Sequence, residues 1–128
     1  MRVLALDYGS ARCGCALSDP TGTLATPIDV VPQPGSKVGL AALAELVDRV
    51  GAERVVVGLP VTLSGADSDQ TREARRFADA LRARLAVPVE MYDERFTTAI
   101  AGRTGGSSTA EDSRAAAVLL EDWLARHA

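Results

Sequence analysis

Asp7 closes a run of apolar residues, Val3 to Leu6, and the turn residues Tyr8-Gly9-Ser10 follow it at once. A carboxylate at the end of an apolar strand is costly unless something neutralises it. Two further acidic positions have a comparable setting: Asp93-Glu94, at the end of the extended stretch "VPVEMYDE", and Asp112, near the start of "TAEDSRAAAVLLEDWLAR". Clustered carboxylates repel one another and call for a cation, and an all-oxygen ligand set favours magnesium or manganese over zinc. Two such ions can activate a water and stabilise the leaving oxygen of a phosphodiester without any histidine. The one histidine, His127, lies at the far end of the last expected helix, which disfavours histidine-based hydrolysis. Each acid also has an ordinary use. Asp7 can cap the turn at Gly9, Asp112 stands three residues after Thr109 as a capping-box acid would, and Glu94 can pair with Arg95. These separate uses do not explain why all three acids should fall on one edge of one sheet.

That convergence follows from the elements expected to carry them. Strand, tight turn, strand reads from Val3 to Tyr8 and from Arg12 to Ser18, and a third extended piece runs from Thr23 to Val31 after the turn "DPTG". "SKVGLAALAELVDRVG" sets Leu40, Leu43, Leu46, Val47 and Val50 at helical spacing and stops at Gly51. "RVVVGLP" is a wholly apolar run of the kind covered on both faces of a sheet. A second helix, capped by Ser68 or Asp67 and running through Leu85, carries the stripe Ala74, Phe77, Ala78, Leu81 and Leu85. "VPVEMYDE" is a last strand, Thr97 begins a short helical piece, and "GRTGGSS" leads to a final helix. The order is βββαβαβα, with right-handed crossovers making the later strands parallel. The expected fold class is α/β: a mixed five-stranded, ribonuclease H-like sheet with an antiparallel hairpin edge and helices on both faces. A flavodoxin-like sheet would need a helix between the first two strands, where only Gly9 to Ala11 lie. Ligands gather at the carboxyl ends of parallel strands. Asp7 ends the first strand and Asp93-Glu94 the last. In the final helix Asp112, Ala116, Leu119, Leu120 and Trp123 share the stripe facing the sheet.

A chain of 128 residues with 47% hydrophobic content fits one domain, 1–128. No apolar run approaches the ~20 residues of a membrane span, and Met1-Arg2 leads into a strand instead of a signal-peptide core, so a cytoplasmic protein is expected. Cys13 and Cys15 are two apart in a strand and read as reduced packing residues. The net charge of −3 does not advertise a nucleic-acid partner. Arginine gathers at Arg72, Arg75, Arg76, Arg82 and Arg84, but interleaved with Asp69, Glu73 and Asp79 as on an ordinary solvated helix face. With aromatics at 4%, base stacking is expected to be minor and sequence preference weak.

"ALDYGSARCGCALSD" resembles the opening signature of the YqgF family, the RuvX-type proteins that are Holliday-junction-resolvase-like and assigned to pre-16S rRNA processing. "VVVGLPVTLSGADS", "YDERFTTAIA" and "EDSRAAAVLLEDWL" resemble its later blocks. Four blocks in order cover most of the chain. The resemblance implies a ribonuclease H-like fold, Mg2+- or Mn2+-dependent nuclease chemistry, a cytoplasmic location and a role in 5′-end maturation of pre-16S rRNA during ribosome biogenesis. Carried onto this sequence, it implies catalytic, metal-holding acids at Asp7, Glu94 and Asp112, with Arg12 and Arg95 as phosphate contacts. Asp93 remains an alternative to Glu94. Two departures stand out: the loop "GRTGGSSTAE" lacks the lysine- and arginine-rich stretch usual before the last helix, and no acid ends "VVVGLP", where resolvases of this fold carry a glutamate.

The partners implied are precursor rRNA, with branched DNA as the other nucleic acid, and no membrane, the protein being a monomer or weak homodimer. A Holliday-junction DNA resolvase would use the same chemistry but needs a two-fold dimer across the junction. A noncatalytic nucleic-acid-binding assembly factor is the rival outside enzymes. "DYGSARCG" also resembles the phosphate-binding hairpin of the actin and Hsp70 superfamily, whose two-domain clefts exceed this length.

Overall fold

The computed structural model describes residues 1–59, 69–93 and 109–127, with only the backbone of residues 59, 93 and 109–112. The first three strands are β1 (Val3–Tyr8), β2 (Arg12–Ser18) and β3 (Ala25–Pro32). They form an antiparallel meander in which Asp7 pairs with Gly14 and Gly14 with Val30. Then come helix α1 (Lys37–Val50), strand β4 (Arg54–Leu59), helix α2 (Asp69–Arg84), strand β5 (Val89–Asp93) and helix α3 (Thr109–His127). The sheet order is β3-β2-β1-β4-β5, with β1, β4 and β5 parallel. This is the mixed five-stranded sheet expected from the sequence. The caps expected at Asp67 or Ser68 and the short helical piece from Thr97 lie outside the described residues.

Strand alternation sorts the core into two layers. Leu4, Leu6 and Tyr8 of β1 join Cys13 and Cys15 against Leu40, Leu43, Leu46 and Val47 of α1 and Ala74, Phe77, Ala78 and Leu81 of α2. Val3 and Ala5 face the other way, with Ala16 and Val56, against Ala116, Leu119, Leu120 and Trp123 of α3. Helices therefore cover both faces. Both cysteines are free thiols buried in the first layer.

Local chemistry explains the element ends. Ser36 caps α1 by accepting a hydrogen bond from the Gly39 amide at 3.0 Å. Gly51 ends it at φ 68°, a left-handed conformation that favours glycine, with its N–H directed at the Val47 and Asp48 carbonyls. Strand β3 begins at Ala25, two residues later than the sequence pattern suggests. Asp19 Oδ1 accepts hydrogen bonds from the Thr23 and Leu24 amides, at 2.8 and 3.1 Å, and holds those residues in the preceding turn. Hydrogen bonds from Thr21, Leu24 and Thr23 hold the Asp19 carboxyl well below the usual carboxylate range. Pro27 and Pro32 are accommodated because β3 is an edge strand, where a missing donor leaves no ladder gap.

Helix α3 crosses the sheet obliquely. Near its start the buried Ser113 hydroxyl donates to the Ile28 and Asp29 carbonyls of β3, at 3.4 and 3.5 Å. Near its end Trp123 Nε1 donates to Glu90 of β5, and Tyr92 donates to Asp122, which also pairs with Arg126 at 3.2 Å. Burial first, and then this bond to Asp122, push the Tyr92 phenol up to about 12.

Candidate active site

Asp7 occupies the next position after Val3 and Ala5 in the series facing α3. Its side chain is only 2% exposed, at the carboxyl end of a central strand. The residue is engaged in the fold, but its Oδ1 atom is buried and takes no hydrogen bond from a described residue. The sheet leaves room beside it. Its partner on β2 is Gly14, and on β4 Leu6 pairs with Val57, so one step further on each strand Asp7 stands beside Gly58. Asp7 thus has no side chain flanking it from either neighbouring strand. Sequence reasoning missed Gly14 and Gly58, although glycine inside a strand signals close approach of a ligand or backbone.

The backbone also brings Asp112 near. Asp7, Gly14 and Val30 form one row across three strands. The Ser113 contacts with Ile28 and Asp29 fall beside that row. The first turn of α3, where Asp112 lies, therefore stands level with Asp7, and the helix then runs back toward the start of β5. Arg12 begins β2 two residues from Gly14, on the same sheet face as Asp7, and is half-buried. Asp93 ends β5 opposite Leu59. Glu94 and Arg95 lie outside the described residues. Among the described residues, no three histidine, cysteine or acidic side chains form a cation cage; of the expected acids, these include the side chain of Asp7 alone.

The family model described as RuvX, Holliday junction resolvase, matches residues 1–126. The chain belongs to this family. A relative from Koribacter versatilis, named as a pre-16S rRNA nuclease, is 40% identical over 133 residues, covering 98% of this chain and 87% of that protein. One from Mycobacterium leprae with the same name is 43% identical over 132 residues, covering 96% and 72%. Among solved structures, Thermus thermophilus RuvC in complex with a Holliday junction substrate superposes with a TM-score of 0.61 at 20% identity, covering 99% of this chain and 96% of that one. The fowlpox virus Holliday junction resolvase gives 0.58 at 12% identity, with complete coverage of both chains. These likenesses establish the ribonuclease H-like fold of the resolvases for this RuvX-family chain, and its family is one of nucleases.

The residues around Asp7 fit a hard divalent cation. A carboxylate oxygen, a hard ligand, is buried without a hydrogen-bond donor from a described residue, and the flanking strand positions carry only glycine. No described helix is long and apolar enough to cross a membrane.

Proposed function

We propose that this chain is a divalent-metal-dependent nuclease that hydrolyses RNA phosphodiesters in 5′-end maturation of pre-16S rRNA, working in the cytoplasm as one ribonuclease H-like domain, 1–128. The observation that carries the reading is Asp7: a carboxylate buried at the carboxyl end of β1, level with the first turn of the helix that bears Asp112. The names of the relatives support RNA as the substrate. Asp7, Glu94 and Asp112 would hold Mg2+ or Mn2+. When bound, the cation supplies charge neutralisation at the phosphodiester and activation of a water. Glu94, which the family's third block supplies, is taken as the second acid in preference to Asp93.

The chain's own residues would do the rest. The apolar layer under α3 keeps the Asp7 carboxylate in one place, and the glycines beside it let a phosphodiester approach. Arg12, on the same face, and Arg95 hold flanking phosphates, which gives binding that weakens steeply with salt and depends little on base sequence. A monomer or weak homodimer suffices for a single cut. The description of the matching family favours a second reading, cleavage of branched DNA at a Holliday junction. Incubating the protein with precursor rRNA, generic RNA and a four-way DNA junction, in manganese or in EDTA, separates the readings. Manganese-dependent trimming of the precursor is expected. Cutting of the junction alone would establish the resolvase reading, and binding without cleavage in any lane would leave an assembly factor.

A further inference from the structure

On the sheet face opposite Asp7, a cavity of about 390 Å³ opens at the same carboxyl edge. Its wall includes Tyr8, Ser10, Ser36, Glu73, Arg76 and Phe77. We propose that this cavity is a phosphate subsite, holding a backbone phosphate of the nucleic-acid strand whose scissile bond lies at Asp7. The proposal rests on the nuclease reading for the identity of the strand, but not for the binding itself.

Position is the first argument. Asp7 and Tyr8 are consecutive and alternate across one strand, so a polynucleotide passing over the end of β1 meets the carboxylate on one side and the cavity on the other. The β1–β2 turn between them contributes Ser10.

Charge is the second. The chain carries −3 overall, yet α2 holds five arginines against three acids. Asp69 is paired with Arg72, and Asp79 with Arg82 at 2.7 Å. The third acid, Glu73, accepts a hydrogen bond from the Tyr8 phenol, which burial first and Glu73 second push up to about 12. Tyr8 therefore remains a neutral donor to Glu73 at any working pH. Arg76 lies one helical turn on from Glu73 and brings a guanidinium to the cavity, the group best shaped for bidentate phosphate binding. The Ser10 hydroxyl adds a neutral donor, whereas the Ser36 hydroxyl is committed to the Gln33 carbonyl at 2.8 Å.

Shape is the third. Phe77 and Tyr8 pack with ring centroids 4.6 Å apart, giving the cavity a rigid floor instead of a collapsible one. Its volume falls within the range of roughly 300–1,000 Å³ typical of small-ligand sites. With a guanidinium, hydroxyls and a carboxylate on the wall, it suits a charged, hydrogen-bonding group and not an apolar one.

The test uses isotope-labelled full chain in EDTA, titrated with inorganic phosphate and, separately, with a short single-stranded RNA while amide resonances are followed. Both probes are expected to shift Ser10, Ser36 and Arg76. Arg76→Ala should weaken RNA binding about fivefold or more, as expected for one charge-assisted contact. It should also reduce the slope of log affinity against log salt by about 0.7. Arg84→Ala removes the same charge from the same helix, about 12 Å further along, and should leave the cavity shifts in place. Unchanged affinity and salt slope in Arg76→Ala, or RNA binding that shifts none of the cavity amides, would overturn the subsite. Asp7→Asn should retain the cavity shifts. If that variant also retained cleavage, the Asp7 reading would fail while the subsite stood.

Discussion

Asp7→Asn preserves the size and shape of a side chain that is 2% exposed and removes its charge. A buried carboxylate carries a desolvation cost of several kcal/mol, partly offset by its polar contacts. In metal-free buffer the variant should therefore be at least as stable as wild type, and by up to about 2 kcal/mol more stable if contacts recover most but not all of that cost. Unfolding entropy of about 2.1 cal/mol/K per residue gives about 0.27 kcal/mol/K for a chain of this length, so each kcal/mol moves Tm by about 4 °C. The metal response should invert this order. Manganese at a hundred times its dissociation constant stabilises a competent site by about 2.7 kcal/mol, which is about 10 °C for wild type. The variant should show little of that rise and lose cleavage by about two orders of magnitude or more. Parallel melts with and without manganese, together with cleavage assays on both proteins, measure all three effects. A folded Asp7→Asn protein with the full manganese shift and undiminished cleavage would refute the metal-site argument and leave Asp7 a turn-capping residue, a role asparagine fills equally well.

Glu94→Gln should reduce cleavage far more than Asp93→Asn; the reverse order, measured under single-turnover conditions, would move the second acid to Asp93. Gly39→Ala should destabilise by about 2 kcal/mol or more despite alanine's better helix propensity, because a Cβ there would lie 2.1 Å from the Gln33 carbonyl oxygen and 2.7 Å from Pro34 Cα; an unchanged Tm would refute the close approach. The two phenols raised to about 12, Tyr8 and Tyr92, remain protonated in the fold while the unfolded chain ionises near pH 10. Their stabilisation is complete below pH 10 and is lost as pH rises toward 12, at up to about 1.4 kcal/mol per pH unit for each. Tyr8→Phe should remove about half of that slope in denaturant titrations between these pH values, and an unaltered slope would contradict the burial of the phenol.

Periodicity and turn chemistry were enough to read the element order, the meander and the stop of the first helix at Gly51, because each depends on residues close together in the chain. The sequence could also nominate Asp7 and the pair Asp93-Glu94, which end extended runs on carboxylates, and Asp112 on the sheet-facing stripe of the last helix, with the family resemblance choosing Glu94 from the pair. Tertiary structure decided what local pattern cannot encode. Register placed Gly14 and Gly58 beside Asp7, which depends on strands far apart in sequence finding their pairing through shared core packing. The Ser113 contacts with β3 set the height of α3 over the sheet, and so brought Asp112 level with Asp7. The arginines of α2 read as a solvated face because one-dimensional spacing shows which charges are neighbours on a helix, but not which of them opens onto a cavity. Only the packing of α2 against the end of β1 gave Arg76 a wall to share with Tyr8 and Ser10.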